Sequence, residues 1–470
     1  MKRRSFFKQG ALATLGGMLT SSFDLRANTI LEENKGKKAK NIIFMVSDGM
    51  SVGTLVMADI YIRRKFDRPS NWMGLYETNL VQRGLMDMAS ASSIVTDSAA
   101  ASSSWGGGVR VNNGSLNISP DGKENLPILQ KFKKAGKKVG CVTTVPITHA
   151  TPAGFSVWSE RRNDMEGIAL KYTELGFDVM MGGGNKVFNP SLREDGKDVY
   201  AILQQKGYTV VRNRADMQKA SLKKPLFGVF ADVALPYTVD HMQDEVLKAE
   251  IPTLAEMTAK AIDVMKNHPQ GFVIQVEAGK VDWAAHGNDL GGLIYDQVAF
   301  DDAVKVAVDF AKKDGNTLVV LTSDHGNANP GLIYGKQCNG NFDRIQDFKH
   351  SNDWILQNIK PTDGIAKVKE SVYNNCGKMS ITDDQARELL TYYAQAGQED
   401  GIYNYNHLPY KLFSEIQKAH TSVGWISMDH SSDFVELAMF GPGSEKLKPF
   451  MRNTDMHKFL LDVAEVEDKF

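Results

Sequence analysis

Gly271-Phe272-Val273-Ile274-Gln275-Val276-Glu277-Ala278-Gly279-Lys280-Val281-Asp282-Trp283-Ala284-Ala285-His286 is the stretch whose reading decides the fold. Its opening half is apolar and β-rich apart from Gln275, the composition of a strand buried on both faces of a parallel sheet. The run ends on Glu277, and Asp282 and His286 follow four residues apart, on one face if that turn is helical. Ligands gather at the carboxyl ends of strands in open α/β sheets. Three potential ligands therefore leave a single strand end, and carboxylate with imidazole suits Zn²⁺. An Asp-x-x-x-His is common by chance, and it gains meaning here from the buried strand before it.

The arrangement recurs. Residues 41–46 form another continuous apolar run, ending in Ser47-Asp48-Gly49, and 316–322 form a third, ending in Ser323-Asp324-His325. One Asp-Gly alone reads as a turn; three buried strands that each finish in an acid read as a site. Residues 137–145 predict a further strand leading into His149-Ala150-Thr151-Pro152, where Thr151 offers an oxygen suited to a hard cation such as Mg²⁺. Shorter strands are expected at 177–181, 208–211 and 226–230, and a last one at 434–440, just after His430. Apolar spacing predicts helices over 126–135, 253–268 and 296–313, the second opened by Thr253 and Glu256 in capping-box register. The alternation points to an α/β fold, three-layer α/β/α, with a large, mostly parallel central sheet.

From Pro330 to about Ser422 the buried-strand signals stop and Tyr, Asn, Gln and charge increase. This reads as an inserted cap or subunit-contact region at about 331–422, with helices near 365–371 and 383–397. Its histidines, His350, His407 and His420, read as surface or structural.

Thr96-Asp97-Ser98-Ala99-Ala100-Ala101-Ser102 supplies the nucleophile candidate. Thr96 or Asp97 caps a helix whose first turn holds Ser98, so the positive end of the helix dipole faces an anion bound there. A serine hydroxyl needs a base or a metal before it attacks at neutral pH, and no base stands near it in the chain. Most Ser-Ala-Ala runs are plain capped helices, and only the dispersed ligands argue otherwise. Arg162 has the fork to clamp two oxygens of a phosphate, although Arg161 beside it also fits a solvated face.

At 470 residues and 42% apolar content the chain can bury a large core, and its net charge of -1 gives no electrostatic reason for nucleic acid or an anionic membrane as main partner. Arg3-Arg4-Ser5-Phe6-Phe7-Lys8, a short weakly apolar run and Ala27 read as a twin-arginine export signal over residues 1–27. A basic amphipathic start or an anchor is the alternative, but the run is short for a bilayer. An exported enzyme, periplasmic or extracellular, with no membrane span after signal removal, is the expectation. Cys141, Cys338 and Cys376 are too few for a disulfide framework; Cys338 with Cys376 leaves both a pair and free buried thiols open.

Asp48-Gly49-Met50, Thr96-Asp97-Ser98-Ala99-Ala100, His149-Ala150-Thr151-Pro152-Ala153, Glu277 with Asp282 and His286, Asp324-His325, and His430 together resemble the alkaline phosphatases in order and rough spacing. The likeness covers 41–330 and returns from about 429 to 443. It implies two Zn²⁺ and one Mg²⁺. Asp282, His286 and His430 would hold the first zinc; Asp48, Asp324 and His325 the second; and Asp48, Thr151 and Glu277, with His149 beside them, the magnesium. The resemblance further implies hydrolysis of phosphate monoesters through a phosphoserine on Ser98, with Arg162 clamping the phosphoryl oxygens, in a catalytic domain over 28–470 that forms a homodimer. His149 and Trp283 depart from the enteric enzymes, which have aspartate and lysine there, and look like the marine and cold-adapted branch. A sulfatase would need a Cys/Ser-x-Pro-x-Arg context, which Asp97-Ser98-Ala99-Ala100-Ala101 lacks. A diesterase on the same scaffold would favour a bis-ester over a monoester, and a binding protein that has lost turnover would not trap phosphate on Ser98.

Overall fold

Ten strands form the central sheet of the computed structural model, which describes residues 36–393 and 408–469. They are β1 (Asn41–Ser47), β2 (Gln82–Asp87), β3 (Lys138–Pro146), β4 (Val179–Gly183), β5 (Thr209–Val211), β6 (Leu226–Val229), β7 (Phe272–Ala278), β8 (Thr317–Thr322), β9 (Val435–Phe440) and β10 (Phe450–Arg452). Their spatial order is β10-β2-β9-β8-β1-β7-β3-β4-β6-β5. All pairings are parallel except those of β9, which runs antiparallel to both β2 and β8.

The apolar runs become central strands because both of their faces are covered. In β1, Ile43 and Met45 enter one core while Ile42, Phe44 and Val46 enter the other, the two-residue alternation of a strand. The helices Val52–Phe66, Leu254–Met265 and Leu290–Asp314 cover the first face, and Ser98–Gly106, Ile128–Lys134, Ala150–Ser156 and Asn453–Val463 the second. The three layers are those expected.

Differences lie where burial is one-sided or propensity is weak. β2 carries no apolar run: its first four residues alternate between half-buried and exposed before the buried Met86, and its partners β9 and β10 make it a strand. The long helix starts at Leu290 rather than 296, because Asp289 caps it by accepting from the Gly292 N–H, and the Gly291-Gly292 pair hides that start from propensity.

The region 331–422 is closed at its base by a two-strand clasp, Gly331–Leu332 paired antiparallel with Val423–Gly424. It carries the helices Cys338–Asp343, Asn352–Gln357, Ile365–Asn375, Asp383–Tyr393 and Tyr410–Thr421. Phe342, Ile345, Ile355, Leu356 and Phe413 join the core on the Ile43 side, so the insertion packs onto the sheet layer beneath it. Cys338 and Cys376 do not pair: all three cysteines are free, and Cys376 is buried, accepting from Gln417 Nε2 at 3.0 Å. His350 stacks on Trp354 and bonds Asp240, and His420 faces Arg344. His407, the end of the helix expected over 383–397, and the export signal lie outside the described residues. Among the described residues no helix is long and apolar enough to cross a membrane.

Candidate active site

β8, β1, β7 and β3 are consecutive in the sheet, so their carboxyl ends set Asp324 and His325, then Asp48, then Glu277, then the His149–Thr151 turn in a row. Asp282 and His286 ride the short helix Lys280–His286 that follows β7. His430 belongs to a two-residue strand, His430–Ser431, paired antiparallel with Gly326–Asn327 directly after His325. Gly49 makes this crowding possible: its φ is +64°, and a Cβ there would stand 2.5 Å from Asp282 Oδ1.

The side chains fall into three overlapping sets, each with ligand atoms within 4.8 Å of one another: Asp282, His286 and His430; Asp48, Asp282 and His325; and Asp48, His149 and Glu277. In the first set, His286 Nδ1 faces the Met428 carbonyl at 2.8 Å and His430 Nδ1 faces that of Thr96 at 2.9 Å. A carbonyl only accepts, so both Nδ1 atoms carry the proton and both Nε2 atoms present lone pairs. Those two Nε2 atoms are 3.0 Å apart. Facing lone pairs repel unless a cation sits between them, and two imidazoles on one tetrahedral Zn²⁺ place their nitrogens about 3.3 Å apart. The residues fit a metal.

Around His325, Asp324 Oδ2 lies 3.3 Å and Asp48 Oδ1 3.6 Å from Nε2. Both oxygens are buried without a hydrogen-bond partner, as are Glu277 Oε1 and His149 Nδ1 in the third set. Thr151 donates to Asp48 Oδ2 at 3.3 Å, and Thr143 donates to Glu277. Burial pushes Asp324 and Glu277 up to about 7 and raises Asp48 well above its usual range, the last with repulsion from Asp324 and Asp282 added. Burial also holds His325 neutral and drives His149 down to about 3. Ionising the buried Asp48, Glu277, Asp282 and Asp324 together needs more positive charge than neutral imidazoles and Arg162 supply.

Ser98 is the first residue of the helix Ser98–Gly106 and is 1% exposed. Its Oγ lies 3.2 Å from His325 Nε2, so the base missing from its neighbourhood in the chain is present in space. Asp97 caps that helix through Oδ1, which accepts from the Ala100 N–H at 2.9 Å, and its Oδ2 accepts from Arg162 Nη1 at 3.0 Å. Arg162 Nη2 reaches His149 Nε2 at 3.3 Å. A neutral imidazole has one lone pair, so His149 serves either Arg162 or a cation at a time.

The family profile for alkaline phosphatase matches residues 39–466. The chain belongs to the alkaline phosphatase family. The match runs through the region 331–422, beyond the segments that carry the motifs. Alkaline phosphatase 4 of Bacillus subtilis is 28% identical over 99% of both chains. The crystal structure of Thermus thermophilus alkaline phosphatase superposes with a TM-score of 0.84 at 31% identity, covering 92% of each chain. A variant of TAB5 alkaline phosphatase, histidine to aspartate with Mg bound in its M3 site, matches at a TM-score of 0.65 and 25% identity over 92% of this chain and 99% of that one. As a member of this family the chain is a metal-dependent hydrolase of phosphate monoesters.

Two supporting residues of this alkaline phosphatase escaped the sequence reading. Asn327 donates to Asp282 Oδ1 at 2.7 Å and so aims one ligand, and Thr143 holds Glu277. Only the strand register, which sets Thr143 beside Glu277, connects the second pair. Trp283 stands edge-on to His149 at 6.0 Å, so the two residues that depart from the enteric pattern are neighbours.

Proposed function

We propose that this phosphatase works through a phosphoserine on Ser98, with two Zn²⁺ and one Mg²⁺ held at the three overlapping ligand sets, Asp324 rather than Asp282 completing the second and Thr151 joining the third. Asp282, His286 and His430 would hold one zinc, and Asp48, Asp324 and His325 the other. Asp48, Thr151 and Glu277 would hold the magnesium, with His149 at its edge. Bound there, the ions would lower the pKa of the serine hydroxyl and of a water and screen charge on the phosphoryl oxygens. Ser98 Oγ then attacks phosphorus, the ester P–O bond breaks, and the alcohol leaves with a proton from solvent. Water cleaves the phosphoserine to inorganic phosphate. Arg162, anchored by Asp97, grips two phosphoryl oxygens throughout, which suits a loose transition state that needs positioning more than proton transfer. The oxygens of Asp48, Thr151 and Glu277 suit a hard cation in the third position.

The observation that carries this reading is the Ser98 Oγ contact at 3.2 Å with a His325 Nε2 that Asp324 and Asp48 also face. The same contact favours a second reading, His325 as a direct general base. Metal analysis followed by exchange for Co²⁺ separates them: if the metal activates the serine, the acidic limb of the pH–rate profile moves with the ion, whereas a limb set by a histidine base stays in place. Acid trapping should place phosphate on Ser98, and Ser98→Ala should lose at least about 10³-fold in rate. Full hydrolysis by that variant would overturn the covalent mechanism.

The Arg3-Arg4 segment supports export, with a periplasmic or extracellular site of action, and the family supports a homodimer. The region 331–422 belongs to the one catalytic unit over 28–470.

A further inference from the structure

The helix Lys280–His286 stops at His286, and the chain turns through Gly287, Asn288 and Asp289 into the helix Leu290–Asp314. Asn288 is 3% exposed and has φ +45°, a left-handed conformation that costs a non-glycine residue about 1 kcal/mol. Its bonds explain why it stays there. With its amide nitrogen turned toward two carbonyls, Asn288 donates to Ser427 O at 2.9 Å and Ala285 O at 3.1 Å. Ser427 directly precedes Met428, whose carbonyl takes the His286 Nδ1 proton at 2.8 Å, and it lies three residues before His430. One side-chain amide thus ties the segment carrying His286 to the segment carrying His430.

The other bonds on this turn come from the insertion. Asn352 Nδ2 donates to the Asn288 carbonyl at 3.3 Å, and Asn352 exchanges reciprocal amide bonds with Gln417 at 2.9 and 2.7 Å, both residues being buried. Asp289 caps two helices with one carboxylate. Its Oδ1 accepts from the Gly292 N–H of the long core helix at 2.8 Å, and its Oδ2 from the Asp353 N–H in the first turn of the insertion helix Asn352–Gln357 at 2.9 Å. Tyr410 donates to Asp353, and its ring lies 3.5 Å from where a Cβ on Gly287 would stand.

We propose that the insertion is a brace: through Asn288 and Asp289 it sets His286 against His430, and Asn288 and Asn352 are positioning residues for that ligand pair. The inference rests on reading Asp282, His286 and His430 as one metal site. Asp48 and Asp324 stand instead just beyond the carboxyl ends of β1 and β8, which are neighbours in the sheet. Loosening the brace therefore weakens one metal site and spares the other.

The test compares wild type with Asn288→Gly, which keeps the left-handed backbone and removes the amide, and with Asn352→Leu, which removes the insertion's hold at similar volume. Zinc per chain is measured by mass spectrometry along a chelator titration, and the thermal midpoint is measured on the zinc-free proteins. The release step belonging to this site is the one that His430→Ala abolishes. In both variants that step should move to roughly 10- to 100-fold weaker binding while the other step holds, and the zinc-free midpoint falls modestly because each substitution removes buried hydrogen bonds. Both zinc steps shifting by the same factor mark a merely structural role and overturn the proposal, as does a titration identical to wild type. A wild type with no zinc step at His430 overturns the metal-site reading itself. Should Asn288→Gly fail to fold, Asn352→Leu carries the comparison.

Discussion

Asp97 joins the serine to the arginine. Its Oδ1 caps the serine helix, while its Oδ2 accepts from the Gly114 N–H at 2.9 Å as well as from Arg162. The guanidinium is thereby held in place, and a charge-assisted bond of this kind is worth about 1.5–3 kcal/mol. Arg162→Ala should raise the KM for a phosphomonoester by roughly 10- to 100-fold, and an unchanged KM would remove Arg162 from the clamp. Asp97→Ala should raise KM in the same direction and also lower the thermal midpoint, since a lost cap costs about 1 kcal/mol. In the sequence Asp97 was legible only as a cap, because its second partner lies 65 residues away. Each proposed ligand was likewise legible as a residue type at a strand end. That His286 and His430 face each other through Nε2 was not, because tautomers are set by carbonyls of Met428 and Thr96 that no spacing announces.

Among the elements, the strand ends were readable for a physical reason. A strand covered on both faces must be apolar along its length, so the first acid after it marks where the chain leaves the core. β1 and β8 obeyed this rule, in β7 the acid Glu277 is the last residue but one of the strand, and β2 and β10, with exposed residues, carried no such mark. The turn after β1 is among the tight exits. Gly49→Ala would drive a Cβ to within 2.5 Å of Asp282 Oδ1 and 2.9 Å of its backbone, at a φ that alanine avoids. The Asp48 exit and the Asp282 helix cannot both keep their places. The variant should bind zinc at least about 10-fold more weakly by chelator competition; wild-type zinc affinity would show that the exit yields without cost.

For the whole molecule, stability as well as chemistry will respond to pH. Asp301, on the long helix, accepts from the Asn71 and Trp72 N–H groups at 2.7 and 2.9 Å and so anchors the helix Asn71–Glu77. Burial raises its carboxyl to about 6 from an ordinary 3.8, a difference on the order of 3 kcal/mol at about 1.4 kcal/mol per unit. The folded chain therefore holds a proton that the unfolded chain has released. The stability this contributes is complete below about pH 4 and is lost as pH rises through about 6. Denaturant unfolding of Asp301→Asn across that window should show a flatter profile than wild type; parallel profiles would assign the slope to other groups. At this scale the three layers were readable from composition, whereas the docking of the region 331–422 onto the core was not, because its apolar residues are scattered among polar ones. The clasp of Gly331–Leu332 on Val423–Gly424 brings the two ends of that region side by side. Ends held side by side let the intervening chain change in length without pulling on the sheet. A replacement segment inherits one obligation: it must still offer a grip for Asn288 and Asp289.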